Sequence, residues 1–222
     1  MPKGVITALE VQKRDKERVN LFLDGEYAFS LTLIEAAKLK KGQVLSEAQI
    51  AALRDDDAVT KAVDSAARVL SYRPRSVHEI RQYLTKKSIP QAVALAAIDR
   101  LSAMGYLDDV AFARFWVEDR NRFKPRGPKA LRFELRQKGI SNTVIDEVLN
   151  DTLNVDDAAY RAAQDVARKL RRVTRQEFRD KLAVGLQRRG FSFDVTREAV
   201  KRLIDEAEAE NPERFLPAED VD

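Results

Sequence analysis

Leu84-Thr-Lys-Lys-Ser-Ile89, Leu135-Arg-Gln-Lys-Gly-Ile140 and Leu186-Gln-Arg-Arg-Gly-Phe191 are three copies of one short pattern, set 51 residues apart. Each reads as the end of one helix and the approach to the next: an apolar anchor, a basic last turn, a residue suited to a left-handed cap, and an apolar residue that pins the turn. A fixed period means repeated modules. Outward from the signature, Ile80, Leu131 and Leu182 keep the same spacing, as do Ile98, Leu149 and Val200. Each copy is led by an apolar-periodic segment, Ala58 to Leu70, Val110 to Val117 and Ala158 to Leu170, so each repeat is expected to hold three helices. Such units bury little alone and gain stability from neighbours, which predicts a mainly α fold: three tandem three-helix repeats in an elongated array, over 56–106, 107–154 and 155–210.

The first 55 residues are a different kind of chain, with period-two alternation in place of helical stripes. Val5, Thr7, Leu9 and Val11 share one face, Arg18 to Leu23 repeats the trend, and Tyr27 to Ser30 follows the pair Asp24-Gly25. Asp-Gly between short β-prone runs signals a hairpin, because a tight primed turn needs positive φ. The expectation is a three-stranded meander, a short helix from Leu33 to Leu39 stopped by Lys41-Gly42, and a second helix opened by a capping box at Ser46 and Gln49 that stops near Arg54. The acidic run Asp55-Asp56-Asp57 then begins the first repeat.

Local punctuation marks helix boundaries throughout the repeats. Ser76 with Glu79 and Thr174 with Glu177 have capping-box spacing and open middle helices, while Pro128 suits a first helical position in the second repeat. Gly105, Gly139 and Gly190 suit left-handed caps; Ser88 stands where the first repeat lacks its glycine, so that cap is expected to be strained or of another type. In Gly105-Tyr-Leu-Asp-Asp109, Tyr106 and Leu107 are placed to fill the joint between repeats, and Asp108 or Asp109 to cap the next helix. Phe112, Phe115 and Trp116 read as core.

Composition removes several function classes. The 222 residues are 44% hydrophobic and 34% charged, with no cysteine and a single histidine, His78. Disulfide frameworks, thiolate metal sites and multi-histidine clusters are therefore excluded, and no metal or cofactor is expected. No glycine-rich phosphate loop or nucleophile elbow occurs, and the adjacent carboxylates Asp108 and Asp109 read as caps, so the chain reads as a non-enzyme. The amino terminus lacks a signal-peptide pattern and no apolar run approaches a membrane span, which makes the cytoplasm the default location. Nothing resembles a coiled coil, and a monomer is expected.

Charge is sharply segregated behind a formal net of +4. Arg120 to Ile140 carries eight basic residues against Glu134 alone, and Arg168 to Arg189 carries nine against Glu177 and Asp180. From Asp205 to Asp222 eight acids face Arg214, which reads as a solvated acidic tail, with 211–222 expected to be disordered. On the middle helix of the second repeat, Lys129, Arg132 and Arg136 share the face opposite Leu131 and Leu135. Such a face tracks phosphates and gives affinity without sequence choice; the competing reading is a merely solvated surface.

Arg73-Pro-Arg-Ser76 with Glu79, Gly105-Tyr-Leu-Asp-Asp109, Phe112 with Phe115 and Arg120, Gly127-Pro128, and Glu134-Leu135 through Lys138-Gly139-Ile140 together resemble the diagnostic segments of the RecX family, bacterial regulators of the RecA recombinase. Leu186, Arg189, Gly190 and Phe191 keep a looser match in the third repeat, and the amino-terminal strands, with Phe22-Leu-Asp-Gly25 and Tyr27-Ala-Phe-Ser30, resemble an extension found in some members. The resemblance implies a non-enzymatic protein that binds in the groove of the recombinase filament on single-stranded DNA, inhibits ATP hydrolysis and strand exchange, and acts in recombination, DNA repair and the SOS response. It places the filament and DNA contact on the middle helices, with Arg126, Lys129, Arg132, Arg136 and Lys138 at its centre and Arg75, Arg81, Arg188 and Arg189 extending it. Double-stranded DNA is a further partner to consider. The alternative is a regulator, for example of transcription, that acts on DNA directly and without the recombinase.

Overall fold

Asp24 and Gly25 both adopt positive φ, 50° and 91°, as a type I′ hairpin turn requires. The computed structural model describes residues 3–217. Around that turn β1 (Lys3–Val11), β2 (Arg18–Leu23) and β3 (Glu26–Thr32) form the expected meander. A fourth strand, β4 (Val44–Ser46), was not expected; it pairs with β1 and gives an antiparallel sheet of order β3-β2-β1-β4. Three residues are too short a run for alternation to show. Between them α1 covers only Leu33–Ala36, capped by Thr32. Ile6, Leu21, Leu31 and Leu45 form the buried centre of this layer, with Ile50 and Leu53 packed on it.

Those last two side chains belong to α2 (Glu47–Leu70), which opens at the Ser46 capping box but does not stop at Arg54. It continues through Asp55–Asp57 and becomes the first helix of the first repeat, so no break stands at residue 55. The physical reason is Asp57. Its side chain is buried, and it pairs with Arg18 of β2 and, at 2.7 Å, with Lys61 one turn on. Arg18 Nη2 also donates to Ser30 Oγ at 2.9 Å. Two cations compensate a carboxylate that would otherwise be costly inside, and the acidic run is a tie between sheet and helix where the sequence suggests a boundary.

The helices α3 (Val77–Lys86) and α4 (Gln91–Ala103) complete the first repeat. The second is α5 (Asp109–Phe123), α6 (Pro128–Gln137) and α7 (Asn142–Thr152). The third is α8 (Val155–Ala167), α9 (Arg175–Arg188) and α10 (Phe193–Glu210). The predicted lattice is interior throughout: Ile80, Leu131 and Leu182, and likewise Leu84, Leu135 and Leu186, are each 0% exposed. The described residues fall into two compact units, one holding Ile80–Leu107 with everything before Ser76, the other holding Ser76–Glu79 with everything after Leu107. In the second unit Phe112, Leu131, Ile145, Ala162, Phe178 and Leu203 belong to one continuous core.

All three copies of the opening pattern end in the same way. The amides of Ile89, Ile140 and Phe191 donate to the carbonyls of Leu84, Leu135 and Leu186 at 3.2, 3.1 and 3.3 Å. The residue before each is left-handed: Ser88 at 58°, Gly139 at 77° and Gly190 at 87°. Ser88 thus makes the same cap as the glycines and bears the steric cost that they avoid.

Three expectations are corrected. Tyr106 and Phe115 are 65% and 43% exposed, so Leu107 and Phe112 fill the interior without them. The acidic segment from Asp205 starts as helix, since α10 runs to Glu210 and uses its acids. The Tyr160 hydroxyl donates to Glu206 and Arg202 Nε lies 2.9 Å from it; these bonds, the Tyr160 one first, hold the Glu206 carboxyl below its ordinary value. Nor is the stretch just after it loose: Leu216 bridges to Thr174, Phe215 packs on Phe178 with ring centres 5.1 Å apart, and Arg214 donates to the Leu170 carbonyl at 2.9 Å. Residues 218–222 of the expected tail lie outside the described residues.

Candidate nucleic-acid interface

Helix α6 begins without a side-chain cap: Gly127 is its N-cap and Pro128 its first residue. Its exposed amides are met instead by the end of α9. Gly127 N donates to Arg189 O at 2.8 Å and Lys129 N to Gly190 O at 3.3 Å, so the carbonyl end of one helix satisfies the amide end of another. The approach is close enough to exclude side chains. A Cβ on Gly127 would lie 2.3 Å from the Gly190 backbone, and one on Gly190 2.5 Å from Ala130 N.

Two basic clefts flank this joint. The first, of about 470 Å³, is lined by Lys129, Arg132, Phe133 and Arg136 of α6 and by Gly190 to Ser192 beyond the joint. The second, of about 420 Å³, is lined by Phe123, Lys124 and Arg126 before α6 and by Arg168, Lys169 and Arg189 opposite, with Asp165 among them. The Gly127–Gly190 contact thus separates two concave surfaces, each with cations beside one exposed phenylalanine, Phe133 or Phe123. Because the amides of α6 are already bonded, any anion here is held by side chains.

The nine candidate cations do not act alike. Lys129 is exposed and makes no ion pair among the described residues, and Arg136 is exposed with only the Asn142 amide oxygen at 2.9 Å. Arg132 is paired with Asp146 across to α7. Arg126 reaches Glu134 at 3.8 Å, and Arg189 reaches Asp165 at 3.3 Å and the Ala162 carbonyl at 3.2 Å. Arg188 is exposed on α9 and lines neither cleft. Lys138 does not belong to the face at all. Its ammonium sits 2.8 Å from Glu79 and 5.0 Å from the Trp116 ring centre, half-buried in a structural contact. In the other compact unit, Arg75 Nε donates to the Val69 carbonyl at 3.2 Å and holds the end of α2, while Arg81 is exposed along a groove with Thr85 and Leu95.

Glu134, the lone acid of the first basic block, accepts from Trp116 Nε1 at 2.8 Å and from Arg120 Nε at 2.9 Å, and Arg120 lies 4.1 Å over the Trp116 ring. Part of the block's charge is therefore spent internally. Asp108 and Asp109 are caps, as expected, but on different helices. Asp108 Oδ1 accepts from Val110 and Ala111 at 2.8 and 3.0 Å, whereas Asp109 Oδ1 accepts from Val77 N at 2.9 Å. Burial is the main cause holding the Asp109 carboxyl above its ordinary value. Among the described residues no cluster of acidic or histidine side chains could hold a metal ion, and no helix is long and apolar enough to cross a membrane.

Sequence reasoning missed Phe133 and Phe123, which are 61% and 66% exposed, and passed over Lys124, Arg168 and Lys169. Phe133 was findable. It stands two positions from both Leu131 and Leu135, so a helical projection places it off the buried stripe and beside the cations.

These features define a class: a helical-repeat protein whose chain runs from a small antiparallel sheet into three three-helix modules, with a cation-lined face built on the joint between its last two repeats. Family models match the chain in the corresponding order: the RecX N-terminal domain over residues 4–46, and the first, second and third RecX three-helix domains over 62–101, 108–149 and 154–200. The chain belongs to the RecX family. It is 38% identical over 216 residues to the regulatory protein RecX of Bacillus pumilus (strain SAFR-032), covering 95% of this chain and 82% of that one. It is 36% identical to that of Bacillus subtilis (strain 168), covering 94% and 79%. A crystal structure of a regulatory protein RecX superposes with a TM-score of 0.74 at 32% identity, over 90% of this chain and 99% of the other. RecX from Lactobacillus salivarius, at 21% identity and a TM-score of 0.60, shares the fold over 67% of this chain and 97% of its own.

Proposed function

We propose that this protein is a non-catalytic regulator of the RecA recombinase, which binds the filament on single-stranded DNA and inhibits its ATPase and strand-exchange activities. The observation that carries the reading is the pair of basic clefts flanking the Gly127–Gly190 joint. Lys129 and Arg136 lie on one exposed helix face and can engage successive phosphates without reading bases. Membership of a family of regulatory proteins, together with relatives named regulatory protein RecX, supports a role exerted on a partner.

The test is the steady-state ATPase rate of the cognate recombinase on single-stranded DNA as this protein is titrated. Inhibition well below one-to-one supports action on the assembled filament; inhibition only when the DNA is coated points to simple competition. Reversing Lys129 and Arg136 together to Glu should weaken inhibition, and full retained potency would sink the assignment of this face. Arg132 is the poorer target, because a Glu there would confront Asp146 and disturb α6 against α7. A second reading, a regulator acting on DNA directly, is favoured by the same cations; its signature is tight DNA binding with a steep salt dependence and no effect on the recombinase.

A further inference from the structure

Phe133 is an exposed aromatic ring where an exposed helix face normally carries polar groups. It follows Lys129 by four residues and precedes Arg136 by three, with Arg132 beside it, so the ring stands at the edge of a cation-bearing helix face. Across the glycine joint the composition recurs. Phe123 stands exposed with Lys124 and Arg126 on its own segment, Arg168 and Lys169 facing it, and Arg122 lying 5.2 Å from its ring centre.

We propose that Phe133, with Phe123 in the adjoining cleft, is a stacking platform for unpaired bases, and that this face discriminates single-stranded nucleic acid from duplex. The proposal rests on the reading of the α6 face as a DNA contact and adds its specificity. An aromatic ring offers a π-face that any base can cover, while the surrounding cations hold the flanking phosphates; the combination of stacking with a basic groove is what sequence-tolerant single-strand binders use. A duplex keeps its bases stacked on one another and offers the ring nothing, so it engages the cations alone. A protein partner fits less well. A docked helix or strand needs a row of exposed apolar anchors; of the two phenylalanines lining this cleft only Phe133 is exposed, Phe191 being buried, and three cations stand beside it.

Equilibrium binding of the full chain to a labelled oligothymidine and to a labelled duplex, followed by fluorescence anisotropy over a range of salt without recombinase, tests it. Phe133→Ala should weaken oligothymidine binding by roughly five- to a hundredfold, with the slope of affinity against salt unchanged and duplex binding unaltered. Phe133→Trp should restore it. The paired Lys129→Glu and Arg136→Glu change should instead weaken both ligands and flatten the salt slope. Far-UV circular dichroism checks the fold, which an exposed site leaves intact. Wild-type affinity in Phe133→Ala, equal loss on duplex and single strand, no rescue by Trp, or no oligothymidine binding by the wild type each overturns the proposal. So does loss of recombinase inhibition in Phe133→Ala with oligothymidine binding intact, which would make Phe133 a protein contact. Stacking is read without recombinase and inhibition in a separate titration, so either can fail alone.

Discussion

Two joints in the second compact unit solve one problem with opposite means. At the first, the end of α6 meets Ser76–Glu79, the cap and first residues of α3, through side chains: Ser76 Oγ donates to the Lys138 carbonyl at 2.7 Å, the Lys138 ammonium pairs with Glu79, and Asp109 caps Val77 N. At the second, the end of α9 meets the start of α6 through backbone hydrogen bonds, with Gly127 and Gly190 bringing the two segments so close that only the small Ala130 methyl lies against Gly190. The difference explains a gap in the repeat. The first and third middle helices open with a Ser or Thr capping box, but the second opens with Gly-Pro, because its cap oxygens are carbonyls from 62 residues away, as between Gly127 and Arg189. A helix start can be satisfied by its own side chain or by another helix's end.

The largest break in this comparison should come from the backbone joint. Gly190→Ala puts a methyl 2.5 Å from a backbone nitrogen at a φ of 87°, and neither neighbour can swing aside. Urea denaturation should show a loss of about 3 kcal/mol, and Gly127→Ala a similar one. A loss under half of that would mean the joint can open without cost. The side-chain joint should break more gently: Ser76→Ala removes a cap and a bond to a carbonyl at a fully buried position and should cost about 2 kcal/mol.

Only the first joint should respond to pH through a cap. Burial raises the Asp109 pKa above its unfolded value, so the folded chain binds that proton more tightly than the unfolded chain does. Acidification through the carboxylate range therefore favours folding at this group, and wild type should gain on Asp109→Asn between about pH 6 and about pH 4. A wild type that loses ground over that range would contradict the sign. The smallest effect isolates conformation from packing. Ser88→Gly relieves a left-handed serine and should raise stability by about 0.5 to 1 kcal/mol, readable as a shift in denaturation midpoint.

Much of the fold was legible because its signals are local. The Asp24-Gly25 hairpin, the capping boxes at Ser46, Ser76 and Thr174, Pro128 and the left-handed caps each need only a few consecutive residues, and each stands where its chemistry requires. The errors came where a distant partner overrode a local sign. Asp55–Asp57 reads as a boundary until Arg18 is seen to pair with Asp57, and the acidic stretch from Asp205 reads as a tail until Tyr160 and Arg175 are seen to engage Glu206 and Glu208.

The candidate face divides in the same way. Helical spacing alone placed Lys129, Arg132 and Arg136 together, since positions three and four apart share a side of a helix whatever surrounds it. The withdrawal of Lys138 into a contact with Glu79, the pairing of Arg132 with Asp146, and the gathering of Phe123, Arg168 and Lys169 into one cleft were decided only by tertiary structure. By itself the sequence determined the repeat, its buried lattice and the ends of its helices, because periodicity and capping act over one or two turns. Which cations remain available to a ligand depends on ion pairs and backbone contacts between segments up to about sixty residues apart, such as Lys138 with Glu79, and no local pattern records them.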